Sequence, residues 1–161
     1  MGNEETEVIN LKKDEILFLS SDKNSDVYII KKGEVLVFVQ NGSQVIPIAY
    51  LGAGEYVGEL SYFEGKARTA SIICTDDCEF IKLSTTLLNR NLPPWLKTIG
   101  KQLAGKIRSA DELIRSKGIR KKNVETIKPL SIQEQARLNK ITESFKEKTL
   151  KGLINRDELQ K

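Results

Sequence analysis

The chain has 161 residues, of which 39% are hydrophobic and 30% charged, and its net charge is +4. These values predict one domain with additional elements, a sizeable core and a well-solvated surface, rather than two full domains. Because the sequence contains no histidine, histidine-based acid–base catalysis and most zinc sites are excluded. The Cys74-x-x-x-Cys78 spacing is a weak metal signal, and the two cysteines are interpreted as small apolar residues in or near a strand, with a disulfide between them as the alternative.

The N-terminal segment, residues 1–10, is polar and acidic, and it is predicted to be flexible. It contains no apolar signal region, and no stretch of the sequence is long enough to span a bilayer. We therefore expect a cytoplasmic protein with no membrane partner.

Residues 1 to about 90 are predicted to be rich in β-strand. Short apolar runs occupy residues 16–19, 27–30, 35–39, 45–50, 69–74 and 78–82. Asn41-Gly42 is a strong hairpin signal, and Pro47 indicates an edge strand or a bulge. Short strands separated by turn residues predict a sandwich, a jelly roll or a related β-roll of the cupin-like kind.

The stretch 58–71 interrupts this strand pattern and has the features of an anion cradle. Gly58 allows the backbone to approach a ligand closely, and residues 59–63 suit a short helical turn whose first amides face an anion. Arg68 offers a fork of donors that suits a phosphate, and Thr69 adds a hydroxyl. Glu59 only accepts hydrogen bonds when ionised, so it suits a sugar hydroxyl. The alternative is a surface loop with a weak ion pair between Glu59 and Arg68.

The pattern changes to helical near Ser84, which is predicted to cap a short helix through residue 89. Pro93 and Pro94 then begin a long helix over 93–117, followed by Gly118 as a stop signal. Its apolar residues recur at steps of three and four, at positions 96, 99, 103, 107, 110 and 114. This stripe would pack either on the β domain or on the same helix of a second copy, which would give a homodimer.

The remaining segment, 119–161, is predicted to be a basic linker followed by a helical tail. The basic cluster at positions 115, 117 and 120–122 is interpreted as a solvated linker, with a nucleic-acid patch as the alternative. Ser131-Ile132-Gln133-Glu134 has the form of a capping box, and Leu138, Ile141 and Phe145 give the following helix one apolar face. The predicted organisation is a flexible N-terminus (1–10), a ligand-binding domain (11–118) and the tail (119–161).

Residues 10–115 resemble the cyclic nucleotide-binding domain family, which includes the catabolite activator proteins and the regulatory subunits of cyclic-AMP-dependent kinase. The similarity includes Gly58-Glu59-Leu60 and Arg68-Thr69-Ala70, in the order and spacing of the family's phosphate-binding cassette. It also covers segments 14–18 and 26–35 and the helix from Pro93. Two positions differ from the family pattern: Lys13 stands where glycine is usual, and Ala67 stands where proline is usual.

The resemblance implies the roles of the candidate site residues. Glu59 would bind the ribose 2′-hydroxyl, and Arg68 would bind the cyclic phosphate. The remaining ligand contacts would come from Gly58, Leu60, Ser61, Thr69 and Ala70. Ser109 and Asp111, on the long helix, are candidates for contacts to the base.

The sequence thus predicts a non-catalytic receptor for cyclic AMP, with cyclic GMP as the alternative ligand, and no metal or other cofactor. It would act through its C-terminal helices on a protein partner that the sequence does not identify. One alternative is a DNA-binding regulator of the catabolite-activator type. Because the tail is short for a winged helix, we do not expect a nucleic-acid partner. A family member that binds another nucleotide is a further alternative.

Overall fold

Two four-stranded antiparallel sheets form a β-roll that is flanked by helices. The computed structural model describes residues 6–117 and 128–152, excluding the side chains of residues 111–117. The strands are β1 (Glu7–Leu11), β2 (Ile16–Phe18), β3 (Val27–Lys32), β4 (Val35–Asn41), β5 (Gln44–Leu51), β6 (Tyr56–Val57), β7 (Ser71–Cys74) and β8 (Cys78–Leu83). The helices are α1 (Glu59–Glu64), α2 (Thr85–Asn91), α3 (Pro94–Lys117) and α4 (Ile132–Leu150). The predicted β-roll, followed by a long helix, is confirmed.

The strand order is β1-β8-β3-β6 in one sheet and β2-β7-β4-β5 in the other. The hairpin predicted at Asn41-Gly42 joins β4 to β5, and Asn41 pairs with Gln44. The expectation for Pro47 is also confirmed, because β5 lies at a sheet edge and its register with β4 shifts beside Pro47. Cys74 and Cys78 are free and buried at the ends of β7 and β8, as small apolar residues would be.

The N-terminus requires a correction, because residues 7–10 do not behave as a flexible segment. Strand β1 begins at Glu7 and pairs antiparallel with β8 along its whole length. Ile9 and Leu11 are buried in the core of the roll, while Val8 and Asn10 face outward. This alternation was hidden by the acidic residues that precede it, and a paired edge strand satisfies the backbone more completely than a free segment does.

The sheet containing β4 is apolar on both faces, and a helix covers its outer face. Val35 of β4 and Ile72 of β7 point into the roll. Leu36 and Phe38 of β4 alternate with the inward residues and pack under α4 instead. The covering residues are those of the predicted apolar face, Leu138, Ile141 and Phe145, joined by Leu130.

Helix α4 is fixed at its start and along the hairpin that it covers. Both hydrogen bonds of the predicted capping box between Ser131 and Glu134 are present. The Asn139 side chain accepts from Gln40 Nε2 at 2.8 Å and donates to the Ser43 carbonyl at 2.6 Å. The described part of the tail therefore packs on the β-roll as a third layer. The basic residues 120–122 lie outside the described residues.

None of the helices in the described parts of the chain is long and apolar enough to cross a membrane.

We predict that Leu138→Ala lowers the free energy of unfolding by about 2–4 kcal/mol, because it leaves a cavity between α4 and the sheet. Leu138 is 8% exposed, whereas Leu150 on the same helix is 87% exposed and provides the matched control. Leu150→Ala should change stability by less than about 0.5 kcal/mol. Urea denaturation measures both values, and equal effects would show that α4 does not pack on the roll in solution.

Candidate functional site

A cavity of about 100 Å³ opens between the roll and the segment that contains α1. Its apolar wall includes Phe18, Val37, Leu51 and Ile72, which are residues of the strands. The structure brings all seven predicted ligand-binding residues to this cavity: Gly58, Glu59, Leu60, Ser61, Arg68, Thr69 and Ala70. Their binding role stays a prediction, but their convergence on one cavity is a structural fact.

Arg68 is the most deeply buried charged group of the cavity, with 3% of its surface exposed. Its Nη1 donates to the carbonyl oxygen of Gly58 at 2.8 Å. Its Nη2 donates to Asn24 Oδ1 and to the carbonyl oxygen of Asp26, both at 2.6 Å. The guanidinium carbon lies 4.1 Å from the centre of the Phe18 ring, a distance that gives a cation–π contact.

The hydrogen-bond partners of Arg68 are neutral oxygens, so its buried positive charge has no directly bonded anion. Burial lowers the pKa of Arg68, and the more distant charges of Asp26, Asp22 and Glu59 oppose that shift. Nε of Arg68 is buried and has no hydrogen-bond partner. An unpaired donor on a buried cation is costly.

Gly58 occupies a position that only glycine fits, because the guanidinium of Arg68 passes directly over it. Its φ is +88°, in the left-handed region. A Cβ at this position would lie 2.3 Å from Nη1 of Arg68 and 2.9 Å from the carbonyl oxygen of Asp26. The glycine therefore permits both the turn into α1 and the placement of the arginine.

Glu59 is the half-buried acceptor of the site, at the first position of α1. Burial raises the pKa of Glu59 above its ordinary value, while its own backbone amide and the charge of Arg68 act in the opposite direction. A carboxylate in this environment gains from a hydrogen-bond donor on a ligand. Arg68 and Glu59 thus offer a donor for an anion and an acceptor for a hydroxyl within one cavity.

The described part of the structure does not place the two residues predicted to contact the base, Ser109 and Asp111, among those that line the cavity. Ser109 is exposed on α3 and is not among the residues that line the cavity. The side chain of Asp111 lies outside the described residues. Both assignments therefore stay predictions.

Two further features of the site were missed by sequence reasoning. The wall residues Phe18, Val37, Leu51 and Ile72 could have been found from the inward alternation of their strands. Asn24, which binds the arginine directly, lies in a loop whose sequence gives no comparable signal.

Helix α3 packs directly against α1, the helix of the cassette. Gly100 allows this close approach, because a Cβ there would lie 2.3 Å from the ring of Phe63. Glu64 forms an ion pair with Arg108, and Nη2 of Arg108 also donates to the Ala67 carbonyl at 3.4 Å. The site and the long helix are therefore mechanically connected.

A β-roll with a glycine–glutamate–arginine cavity and a long helix packed on it is the architecture of a ligand-binding regulatory domain. The family model for the cyclic nucleotide-binding domain matches residues 8–91. The chain belongs to this family.

Relatives of known name and structure support the assignment. The cyclic AMP receptor protein of Thermus thermophilus is 31% identical over 99 residues, which are 59% of this chain and 46% of that protein. The chain therefore spans about half the length of this curated relative.

Among solved structures, the chain is similar to the cyclic-AMP-bound EAL enzyme Bd1971, with 28% identity and a TM-score of 0.58 over 68% of this chain and 30% of that one. The catabolite activator protein of Thermus thermophilus has 26% identity and a TM-score of 0.53, over 68% of this chain and 53% of that one.

We predict that Gly58→Ala destabilises the protein more than Gly54→Ala does. Both glycines have φ near +90°, so both variants carry the strain of a left-handed alanine, about 1–2 kcal/mol. Only at Gly58 does the new methyl group meet other atoms, since nothing lies within 4 Å of the Cβ position at Gly54. Thermal and urea denaturation of the two variants measure the difference. Equal losses of stability would contradict the described placement of Arg68 over Gly58.

Proposed function

We propose that this chain binds a 3′,5′-cyclic nucleotide in the cavity beside α1. The proposal depends on the buried guanidinium of Arg68. Its Nε has no hydrogen-bond partner, and the partners of its other nitrogens are neutral oxygens. A cyclic phosphate supplies the missing negative charge and an acceptor for Nε. Backbone at Gly58, Leu60, Ser61, Thr69 and Ala70 would complete the phosphate contacts, since these residues line the same cavity.

Glu59 supports a nucleotide rather than a free phosphate. Its carboxylate would accept the ribose 2′-hydroxyl, which is the group that neighbours the cyclic phosphate on the sugar. The apolar wall of Val37, Leu51 and Ile72 suits the remaining, less polar part of such a ligand.

We propose cyclic AMP as the preferred ligand and cyclic GMP as its competitor. The preference is supported by the relative named as a cyclic AMP receptor protein and by the EAL enzyme structure that contains cyclic AMP. The same enzyme was also solved with cyclic GMP, so the choice requires a direct comparison. Ser109 and Asp111 are proposed to reach the base only if α3 moves toward the cavity.

The proposed role is that of a non-catalytic switch. Binding at Arg68 and Glu59 would shift α1, and α1 would shift α3 through the Phe63–Gly100 contact and the Glu64–Arg108 ion pair. The ligand changes this equilibrium only by its different affinity for the two positions of α3. The C-terminal helices would pass the change to a protein partner.

We also propose that α3 pairs with a second copy of the chain. Ile99, Leu103 and Ile107 of the predicted stripe are exposed, and the exposed Trp95 extends their four-residue spacing, whereas Leu96 is half-buried. The four exposed residues form a continuous apolar stripe beside the face that packs on α1. This supports the homodimer interpretation of the stripe over packing on the β domain.

A DNA-binding role receives less support than a role in protein recognition. The described part of the tail, α4, packs on the β-roll and is not arranged as a separate module. The similarity to a catabolite activator protein keeps this alternative open to test, and a salt-dependent gel shift would reveal such binding.

We predict saturable binding of cyclic AMP with a micromolar or tighter dissociation constant. Arg68→Leu should weaken this binding at least about 100-fold, because two charge-assisted hydrogen bonds are lost. Isothermal titration calorimetry with cyclic AMP and cyclic GMP measures the affinities, and circular dichroism confirms that the variant is folded. Arg90→Leu, at an exposed position on α2, is the control and should bind as the wild type does. Absence of binding by the folded wild type would refute the proposal.

We predict that the affinity for cyclic AMP falls as the pH is lowered. Because the pKa of Glu59 is raised, the loss of affinity should begin at a higher pH than protonation of an ordinary glutamate would give. The pKa of Glu59 is raised in the free protein, and a bound hydroxyl favours the ionised form, so binding is tightest above that pKa and weakens as the pH falls through it. Titrations across acidic pH test this, and Glu59→Gln should flatten the profile. A wild-type affinity independent of pH would remove Glu59 from the ligand contacts.

We predict that Leu103→Glu raises the dissociation constant of the dimer at least about tenfold, because it places a charge within an apolar interface. Lys101→Glu on the same helix is exposed but lies outside the stripe, and it should leave the association unchanged. Sedimentation velocity with and without cyclic AMP measures the oligomeric state. A wild type that stays monomeric under both conditions would refute pairing through α3.

A further inference from the structure

The loop of residues 19–26 holds Arg68 by both its main chain and its side chain. The amide of Arg68 donates to the Asp22 carbonyl, and the amide of Ser21 donates to the Arg68 carbonyl, both at 2.8 Å. The side chain is held by Asn24 and Asp26, as described above. These two bonds fix the main chain of Arg68 beside the loop, and Asn24 contacts the guanidinium through its side chain.

The two bonds from Nη2 occupy the part of the guanidinium that a phosphate needs. Nη2 has two protons, and Asn24 Oδ1 and the Asp26 carbonyl each accept from it at 2.6 Å. A guanidinium presents parallel pairs of N–H groups on two edges, Nη1 with Nη2 and Nε with Nη2. Both pairs include Nη2, so a phosphate cannot take a two-pronged contact while both bonds are in place.

We propose that Asn24 is an internal competitor of the ligand, occupying the position on Nη2 of Arg68 that the cyclic phosphate takes when it binds. This inference rests on the proposed function. Asn24 is the group that leaves, because its amide is on a side chain, whereas the Asp26 carbonyl belongs to the backbone at the start of β3 (Val27–Lys32). The amide oxygen is a neutral stand-in for a phosphate oxygen.

Asn24 is held by Asp26 as well as by Arg68, so it can release Arg68 and still keep a partner. Its Oδ1 also accepts from the Asp26 amide at 2.7 Å, and its Nδ2 donates to Asp26 Oδ2 at 3.3 Å. Asp26 is anchored in turn, because its Oδ1 accepts from the Thr85 amide at 3.0 Å. When Asn24 leaves Arg68, its oxygen keeps the bond from the Asp26 amide, so this half-buried acceptor still has a partner.

The competition predicts opposite effects for two substitutions at one position. Asn24→Ala removes the competing oxygen and should tighten cyclic AMP binding about threefold to tenfold, the equivalent of one modest hydrogen bond. Asn24→Asp replaces the amide by an anion that pairs with Arg68 while its second oxygen faces Asp26 Oδ2, and the ion pair with Arg68 should weaken cyclic AMP binding at least about tenfold. A residue that merely positions Arg68 would give the reverse order, because alanine would weaken binding and aspartate would preserve it.

The test is isothermal titration calorimetry of cyclic AMP with wild type, Asn24→Ala and Asn24→Asp. Asn10→Ala and Asn10→Asp are the matched controls, since Asn10 is exposed on β1 (Glu7–Leu11) and does not line the cavity. Neither should alter the affinity. Asn24→Ser provides a second variant if Asn24→Ala does not fold, and it should also bind more tightly than wild type.

The outcomes separate this inference from the proposed function. Tighter binding by the alanine or serine variant together with weaker binding by the aspartate variant supports the competition. Wild-type binding that neither Asn24→Ala nor Asn24→Ser tightens overturns the inference and leaves the proposed function intact. Failure of the folded wild type to bind cyclic AMP or cyclic GMP overturns the proposed function and this inference with it.

Discussion

The burial of one cation determines how the binding region is built. The positively charged guanidinium of Arg68 is buried away from water, and its hydrogen bonds go to neutral oxygens. Such a group is stable only if its surroundings are closely arranged, because a misplaced acceptor leaves another buried donor unsatisfied. The glycine beneath it, the aromatic ring of Phe18 beside it and the loop containing Asn24 all follow from this requirement.

The second constraint is that one sheet has to be covered twice. On β4 (Val35–Asn41), successive apolar residues point alternately into the roll and toward α4 (Ile132–Leu150). The described part of the tail therefore belongs to the hydrophobic core of the domain. As a result, α3 is not needed to cover this face, and its apolar residues Ile99, Leu103 and Ile107 stay exposed.

Much of this organisation could be predicted from the sequence, because it depends on local patterns. The hairpin at Asn41-Gly42, the cap at Ser131 and the helix from Pro94 are determined by residues close together in the chain. The spacing of Gly58, Glu59 and Arg68 identified the candidate site through its resemblance to a family. The hairpin, the cap and the helix are present at these positions, and the three candidate site residues line one cavity.

Features that depend on distant contacts could not be predicted in the same way. Strand β1 (Glu7–Leu11) has only five residues, and it is defined by its pairing with β8 (Cys78–Leu83), about 70 residues later in the sequence. The continuous apolar run of β4 indicates burial on both faces, but it does not identify α4 as the cover. The contact between Asn24 and Arg68 joins residues 44 positions apart and has no periodic signal.

The edge strand β5 (Gln44–Leu51) has a consequence for how copies of this protein can meet. Pro47 offers no amide hydrogen, and the register shift beside it interrupts the regular ladder with β4. An interrupted edge is a poor template for adding a strand from another molecule, so it protects the protein from sheet extension and aggregation at this side. Self-association along this particular edge is thereby disfavoured.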